Sequence, residues 1–212
     1  MRVPGIPPTT RLPASAHMEH PWRIHELTRD FRVEDVWALP TPGGPNDFRL
    51  LVEGFAHGDP AQGPSRLTQA LFAIRWTVGR LLGWDGERSG LGTRVPSLRE
   101  RMGQDLRDAQ PGPEFDSLPF RSLYVLGDEW AAEIANSTVH GVMHVGWVPD
   151  AAGGWRGQMA VLVKPNGVLG ELYMAAIKPF RYAIVYPQMM RQIEHAWGQR
   201  AAGAAASAAQ PA

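Results

Sequence analysis

The 212-residue sequence contains no cysteine. That excludes a disulfide scaffold, a thiolate nucleophile and any cysteine-ligated zinc or iron–sulfur centre. Lysine is almost missing too: Lys164 and Lys178 are the only two, neither follows a glycine-rich turn, and no phosphate-cradling loop is formed. Basic and acidic side chains balance at 21 each, so there is no cationic excess of the kind that displaces counterions from nucleic acid. No apolar run approaches the roughly 20 residues needed to span a bilayer, and the N-terminus lacks the apolar core of a signal peptide. No Gly-x-Ser-x-Gly elbow marks a serine nucleophile. The expectation is a cytoplasmic globular protein with no metal, no nucleic-acid partner and no membrane span, and no motif names a reaction.

What is present divides into three stretches. Met1 to His20 carries Pro4, Pro7, Pro8 and Pro13 with little apolar periodicity, so it is expected to be flexible. Residues 21–197 are expected to form one domain. Residues 198–212 are rich in alanine, which favours helix but supplies little to pack, and a disordered tail is expected.

Within the domain, Val33 to Leu39 reads as a first strand ended by the turn cluster Pro40 to Pro45. Two helices follow: a short one from Asn46 to about Ala56, and a firmer one from Ser65 to about Leu82 with apolar residues at three- and four-residue intervals. Phe120 to Leu126, Trp130 to Ala135, Val139 to Val148 and Trp155 to Lys164 then read as antiparallel hairpins. The last element, Leu169 to Trp197, is a long helix bent at Pro179 and Pro187. Helical phase places Leu169, Tyr173, Ala176, Ile177, Phe180 and Ile184 toward the sheet and Lys178, Arg181 and Tyr182 away from it.

This α+β order is that of the helix-grip fold, a curved antiparallel sheet wrapped around a C-terminal helix, with two shorter helices after the first strand. Particular runs add to it: Glu-Ile-Ala-Asn-Ser-Thr-Val-His-Gly-Val-Met-His-Val-Gly-Trp ending at Trp147, Lys-Pro-Asn-Gly-Val-Leu-Gly-Glu-Leu-Tyr ending at Tyr173, and Ile-Lys-Pro-Phe-Arg ending at Arg181. They resemble the bacterial domain-of-unknown-function family 2867 over about His20 to Trp197. The resemblance implies kinship with the lipid-transfer, polyketide cyclase and birch-pollen-allergen superfamily, whose members bind or cyclise apolar small molecules. It implies no catalytic residue. Many members sit behind a dinucleotide-binding domain, but no Gly-x-Gly-x-x-Gly occurs here, so no NAD(P) and no other cofactor is expected.

His140 and His144 are the leading site candidates. On a helix their spacing would serve one zinc, but on a strand it leaves them on one face roughly 13 Å apart, too far for a shared metal. Their face includes Thr138, Val142 and Gly146; if it is concave, the imidazoles act as acid, base or hydrogen-bonding groups toward a ligand. If it is convex, they are ordinary strand residues. The opposite face, Val139, Gly141, Met143, Val145 and Trp147, is more uniformly apolar and is the expected inner one. Glu133 either orients one of these histidines or is a solvated edge-strand glutamate, and Tyr173 either bonds a ligand or is a core tyrosine. His140, His144, Tyr173, Glu133 and Trp147 make up the expected ligand-binding set. His17, His20 and His25 form a loose cluster, but Arg29 stands where a zinc-protease motif needs its second histidine, so only adventitious metal is expected there.

Three functions are open at this point: binding of a small apolar or polyketide-like molecule between sheet and C-terminal helix; cofactor-independent cyclisation, dehydration or isomerisation in the same cavity; or a non-catalytic interaction module. The last would use the stripe Tyr186, Met190, Ile193 and Trp197, which forms a homodimer interface if exposed and packs against the first strand or the Trp22 segment if not.

Overall fold

The computed structural model describes residues 10–57, 95–115, 118–135, 138–151 and 153–208. The helix expected from Ser65 to Leu82 and the Asn136-Ser137 turn lie outside these residues. In chain order the elements are β1 (Arg11–Leu12), α1 (Ser15–Met18), α2 (Ile24–Leu27), β2 (Arg32–Ala38), α3 (Phe48–His57), a 3-10 turn (Leu98–Arg101) and α4 (Gln104–Asp108). They continue as β3 (Arg121–Val125), β4 (Glu129–Ala135), β5 (Val139–Pro149), β6 (Trp155–Pro165), α5 (Gly167–Phe180), a π turn (Arg181–Val185) and α6 (Tyr186–Ala208). The β5–β6 hairpin is closed where the Asp150 N–H donates to the Gly154 carbonyl at 2.7 Å and Gly153 takes φ +89°, a conformation that costs glycine little.

The strands form one open, curved antiparallel sheet in the order β1-β2-β6-β5-β4-β3. Strand β2 returns to pair with β6, Val36 opposite Ala160 and Trp37 opposite Met159. Strand β5 is buried on both sides from His140 to Val148. Its even side, with Val142, meets Trp22, Ile24 and Leu27 from the N-terminal segment and Leu98, Met102 and Leu106 from the segment before β3. Its odd side, Met143, Val145 and Trp147, meets Phe48, Leu51 and Val52 of α3 and Tyr186, Met190 and Trp197 of α6. A strand covered twice carries apolar side chains on both faces, and alternation alone then cannot rank them.

Close approach fixes two joints. At Gly146 an added Cβ would lie 2.6 Å from the Trp22 ring, so only a glycine lets that indole rest on the sheet. At Gly170 it would lie 2.3 Å from the Thr138 carbonyl oxygen, which presses α5 against the start of β5.

Three expectations change. The stretch up to His20, expected to be flexible, is packed from residue 10 onward: Arg11 and Leu12 pair with Trp37 and Val36, and His17 is fully buried. The reason is that its few non-proline residues all have partners. The tail expected to be disordered from residue 198 continues α6 as far as Ala208. The inward face of the C-terminal helix is not the one that helical phase gives. Leu169 and Ile184 are 60% and 37% exposed, while Arg181, expected to point away, is 9% exposed. A five-residue turn in π geometry follows Pro179, which has no N–H to donate, and it moves every later residue around the axis. An arginine is also welcome on the inner face because two carboxylates wait for it there.

Candidate functional site

Strands β4 and β5 repeat one diagonal pairing on their even-numbered β5 face. Glu129 and Glu133 are four apart on β4, as His140 and His144 are on β5. The register sets Glu129 opposite Gly146 and Glu133 opposite Val142, so each glutamate is one step diagonal from a histidine. His144 Nε2 is 2.8 Å from Glu129 Oε2, and His140 Nε2 is 2.8 Å from Glu133 Oε2. All four side chains are buried. Both carboxylates also fasten a covering segment to the sheet. Glu129 accepts from the Arg23 N–H at 2.9 Å and from the Tyr124 hydroxyl at 3.4 Å. Glu133 accepts from the Leu98 N–H at 3.0 Å and from the Ser97 hydroxyl.

The two pairs differ electrostatically. Burial raises the Glu129 carboxyl against the pull of its hydrogen bonds, so it protonates more readily than usual. At Glu133 burial pushes the same way but is outweighed by the bonds from His140, Leu98 and Ser97, and the value falls. Burial, helped by His25, lowers His144 to about 3. His17 is lowered to about 2, first by burial and then by the neighbouring His144, His25 and His20. The His17 ring stands 4.8 Å from that of His25 and 4.9 Å from that of His144, so neutral imidazoles pack edge to face in one aromatic nest with Trp22. Several nitrogens of the nest lack a hydrogen-bond partner: both of His17, Nε2 of His25, Nδ1 of His144 and Nε1 of Trp22. Among the described residues no three histidine, aspartate or glutamate side chains are arranged to hold a metal ion.

A second polar cluster lies on the other side of the sheet, where the C-terminal helix crosses β2. The run Val33-Glu34-Asp35-Val36 contains a β-bulge: Val33 faces Leu162 and Asp35 faces Val161, leaving Glu34 as the extra residue. The bulge brings both Glu34 and Asp35 to Arg181 at the start of the π turn, its Nη2 3.0 Å from Glu34 Oε1 and 2.9 Å from Asp35 Oδ2. The fully buried Asp35 carboxylate also accepts from the Tyr186 hydroxyl at 2.7 Å and from the Tyr182 hydroxyl. Arg11 reaches it at 3.5 Å and lies over the Tyr182 ring at 4.8 Å. Burial and the bond to Asp35 push the Tyr182 hydroxyl up to about 12, and burial together with the Asp35 charge raises Tyr186 as well. Burial alone would lower Arg181, but Tyr186, Asp35 and Glu34 outweigh it and keep the guanidinium charged. Beside this cluster a cleft of about 430 Å³ opens between Arg11 and Pro13 on one side and Val33, Glu34 and Asp35 on the other.

The expected ligand set is not brought together. His140, His144 and Glu133 share the sheet face covered by residues 22–27 and 97–106. Trp147 points to the opposite face, where its indole N–H donates to the Gly44 carbonyl at 3.0 Å and its ring packs on Phe48 and Trp197. Tyr173 is half-buried on α5. Glu133 is fully buried one strand in from the edge, so the solvated-glutamate reading does not hold. The stripe Tyr186, Met190 and Trp197 is internal, packed on Trp37 and Trp147, with the Trp197 N–H donating to the Pro42 carbonyl at 2.9 Å. It is therefore not an exposed surface for a homodimer. Asp35, Trp37, Arg181, Tyr182 and Tyr186 were not singled out as a site by sequence. The visible signal was the adjacent acidic pair Glu34-Asp35, which breaks the two-residue period of an otherwise apolar strand.

The fold and these clusters define an α+β domain with an open antiparallel sheet, a long C-terminal helix and buried ionic groups on both faces. The chain belongs to the family described as "Protein of unknown function (DUF2867)", which it matches over residues 27–188. That span contains the Asp35 cluster and both glutamate–histidine pairs. No curated protein and no solved structure matches the chain.

Proposed function

We propose that this chain is a small-molecule-binding domain of the helix-grip type, with its ligand held where the C-terminal helix crosses β2. The observation that carries the reading is the meeting of two backbone irregularities at one buried ion cluster. The bulge at Glu34 and the π turn at Arg181 both depart from regular geometry to deliver polar groups to the same place, beside a cleft of about 430 Å³. Both kinds of irregularity recur at functional sites, where they re-aim side chains. The cleft has the size of a small-ligand pocket. The buried glutamate–histidine pairs are better explained as fasteners, since their carboxylates are occupied by the segments that cover the sheet.

This reading moves the expected site from the His140–His144 face to the β2–helix joint. It also makes the ligand more polar than an apolar polyketide, because charged residues line the cleft. The test is native mass spectrometry of the full chain as purified, compared with Ala14→Trp, which places an indole in the cleft. A bound small-molecule mass that is lost in Ala14→Trp supports the proposal. A mass retained unchanged in that variant, or a ligand-free full chain whose melting no small-molecule panel shifts, overturns it.

A further inference from the structure

We infer that the ligand of this joint presents an oxygen acceptor, a carbonyl or a carboxylate, to the Trp37 indole N–H and the Arg181 Nε–H. The inference rests on the reading above that the joint binds a small molecule, and adds the chemistry it selects.

The argument is a count of donors and acceptors in the cluster. Asp35 and Glu34 are well supplied: Asp35 takes both tyrosine hydroxyls and an Arg181 nitrogen with Arg11 behind, and Glu34 takes Arg181 and Arg32. What is left over is on the donor side. Trp37 Nε1 and Arg181 Nε are buried and have no hydrogen-bond partner. Each nitrogen carries a hydrogen and has no acceptor capacity. Both residues are more than nine-tenths buried, Trp37 8% and Arg181 9% exposed, so bulk water does not satisfy them, and an unmatched buried donor is costly.

The two belong to one neighbourhood. Trp37 follows Asp35 by two positions on the same face of β2, and its ring stands 4.6 Å from Tyr186, whose hydroxyl is on Asp35. Arg181 spends Nη2 on Glu34 and Asp35, which leaves Nε as its free edge. A ligand rich in donors, such as an amine, would find every carboxylate already bonded. A ligand with an acceptor oxygen would find two donors waiting, one of them on a guanidinium, and hydrogen bonds to charged donors are the stronger kind.

The experiment titrates the full chain with benzoate, benzamide and benzylamine, three probes of one shape that carry a carboxylate, a neutral carbonyl and a cation. The readout is the indole ¹H–¹⁵N resonance of Trp37, assigned by its loss in Trp37→Phe. The expected result is a shift with benzoate or benzamide and none with benzylamine, the responding arm telling carboxylate from carbonyl. Affinity for that probe should fall about five- to tenfold in Trp37→Phe, the worth of one hydrogen bond. Arg181→Lys, which keeps a cation for Glu34 and Asp35 but drops the Nε donor, should show a similar fall and serves if Trp37→Phe does not fold. A benzylamine shift as large as the others, a silent Trp37 indole in all three arms, or unchanged affinity in both variants overturns the inference. In those cases a ligand mass that Ala14→Trp still abolishes leaves the binding site standing. If Ala14→Trp has no effect, it is the site that fails.

Discussion

His144 and Glu129 hold each other across neighbouring strands, Nε2 to Oε2 at 2.8 Å, with both side chains out of reach of water. The bond joins β5 to β4, and through the Arg23 N–H it also joins the sheet to the N-terminal segment. Removing the acceptor should therefore cost more than removing the imidazole. Glu129→Ala strands the Arg23 N–H, the Tyr124 hydroxyl and His144 at once, and is expected to lose about 3 kcal/mol. His144→Phe leaves Glu129 its other donors and should lose about 1 kcal/mol. Urea unfolding of the two variants checks the order, and the reverse order would show that the imidazole, not the carboxylate, is the organising group.

Acid should loosen the chain well before ordinary carboxylates titrate. His17 and His144 sit at about 2 and about 3 in the fold against 6.5 in the free side chain. The unfolded chain therefore takes up these protons first, and stability that is whole above the free value is lost as pH falls below 6.5. Glu129, raised in the fold, works in the opposite sense, gaining a proton more readily folded than unfolded. Asp30, lowered chiefly by its bond to Arg101, adds its own loss only as pH falls through the free value of 3.8. Denaturation midpoints measured from about pH 7.5 to about pH 5 should fall steadily, and His17→Phe should flatten the slope. A flat wild-type profile would contradict the neutral-imidazole nest.

Asp35 depends on its tyrosines. Tyr186→Phe removes the hydroxyl that donates at 2.7 Å and leaves a buried carboxylate less well bonded. A loss of about 1.5–3 kcal/mol is expected, the range for a hydrogen bond to a charged group. Differential scanning calorimetry of the variant reads it directly. If Tyr186→Phe melts with the wild type, Asp35 is not relying on that bond.

Gly146→Ala tests how closely Trp22 rests on the sheet. The new methyl would fall 2.6 Å from the indole, and overpacking of this kind typically costs about 1–3 kcal/mol. Trp22 is the ring that must move, so the emission of a variant retaining only that tryptophan should shift toward the red. An unshifted spectrum would place the indole elsewhere.

The strands were legible in the sequence because turn residues bracket them. Trp155 to Lys164 was expected and Trp155–Pro165 is found; Val139 to Val148 was expected and Val139–Pro149 is found. Which face of β5 carried the site was not legible. Val142 and Val145 are equally buried on opposite sides, and periodicity has nothing to say about a strand covered twice. The phase of the C-terminal helix failed for a different reason: one π turn after Pro179 rotates all that follows, and counting at 100° per residue assumes that no such turn occurs. The glutamate–histidine ladder was half-visible. The equal four-residue spacings on β4 and β5 are written in the sequence, but only the pairing register makes them coincide.

The return of β2 to β6 sets a schedule for synthesis. Val36 leaves the ribosome roughly 120 residues before its partner Ala160, an interval on the order of ten seconds at ~5–20 residues per second. Through that interval the strand that will end up between β1 and β6 waits with most of its backbone groups unclaimed. Arg32, Glu34 and Asp35 keep charge along it meanwhile, and charge on an open strand discourages pairing with other chains. The carboxylates that later anchor the C-terminal helix would thus first act as guards for an unfinished sheet.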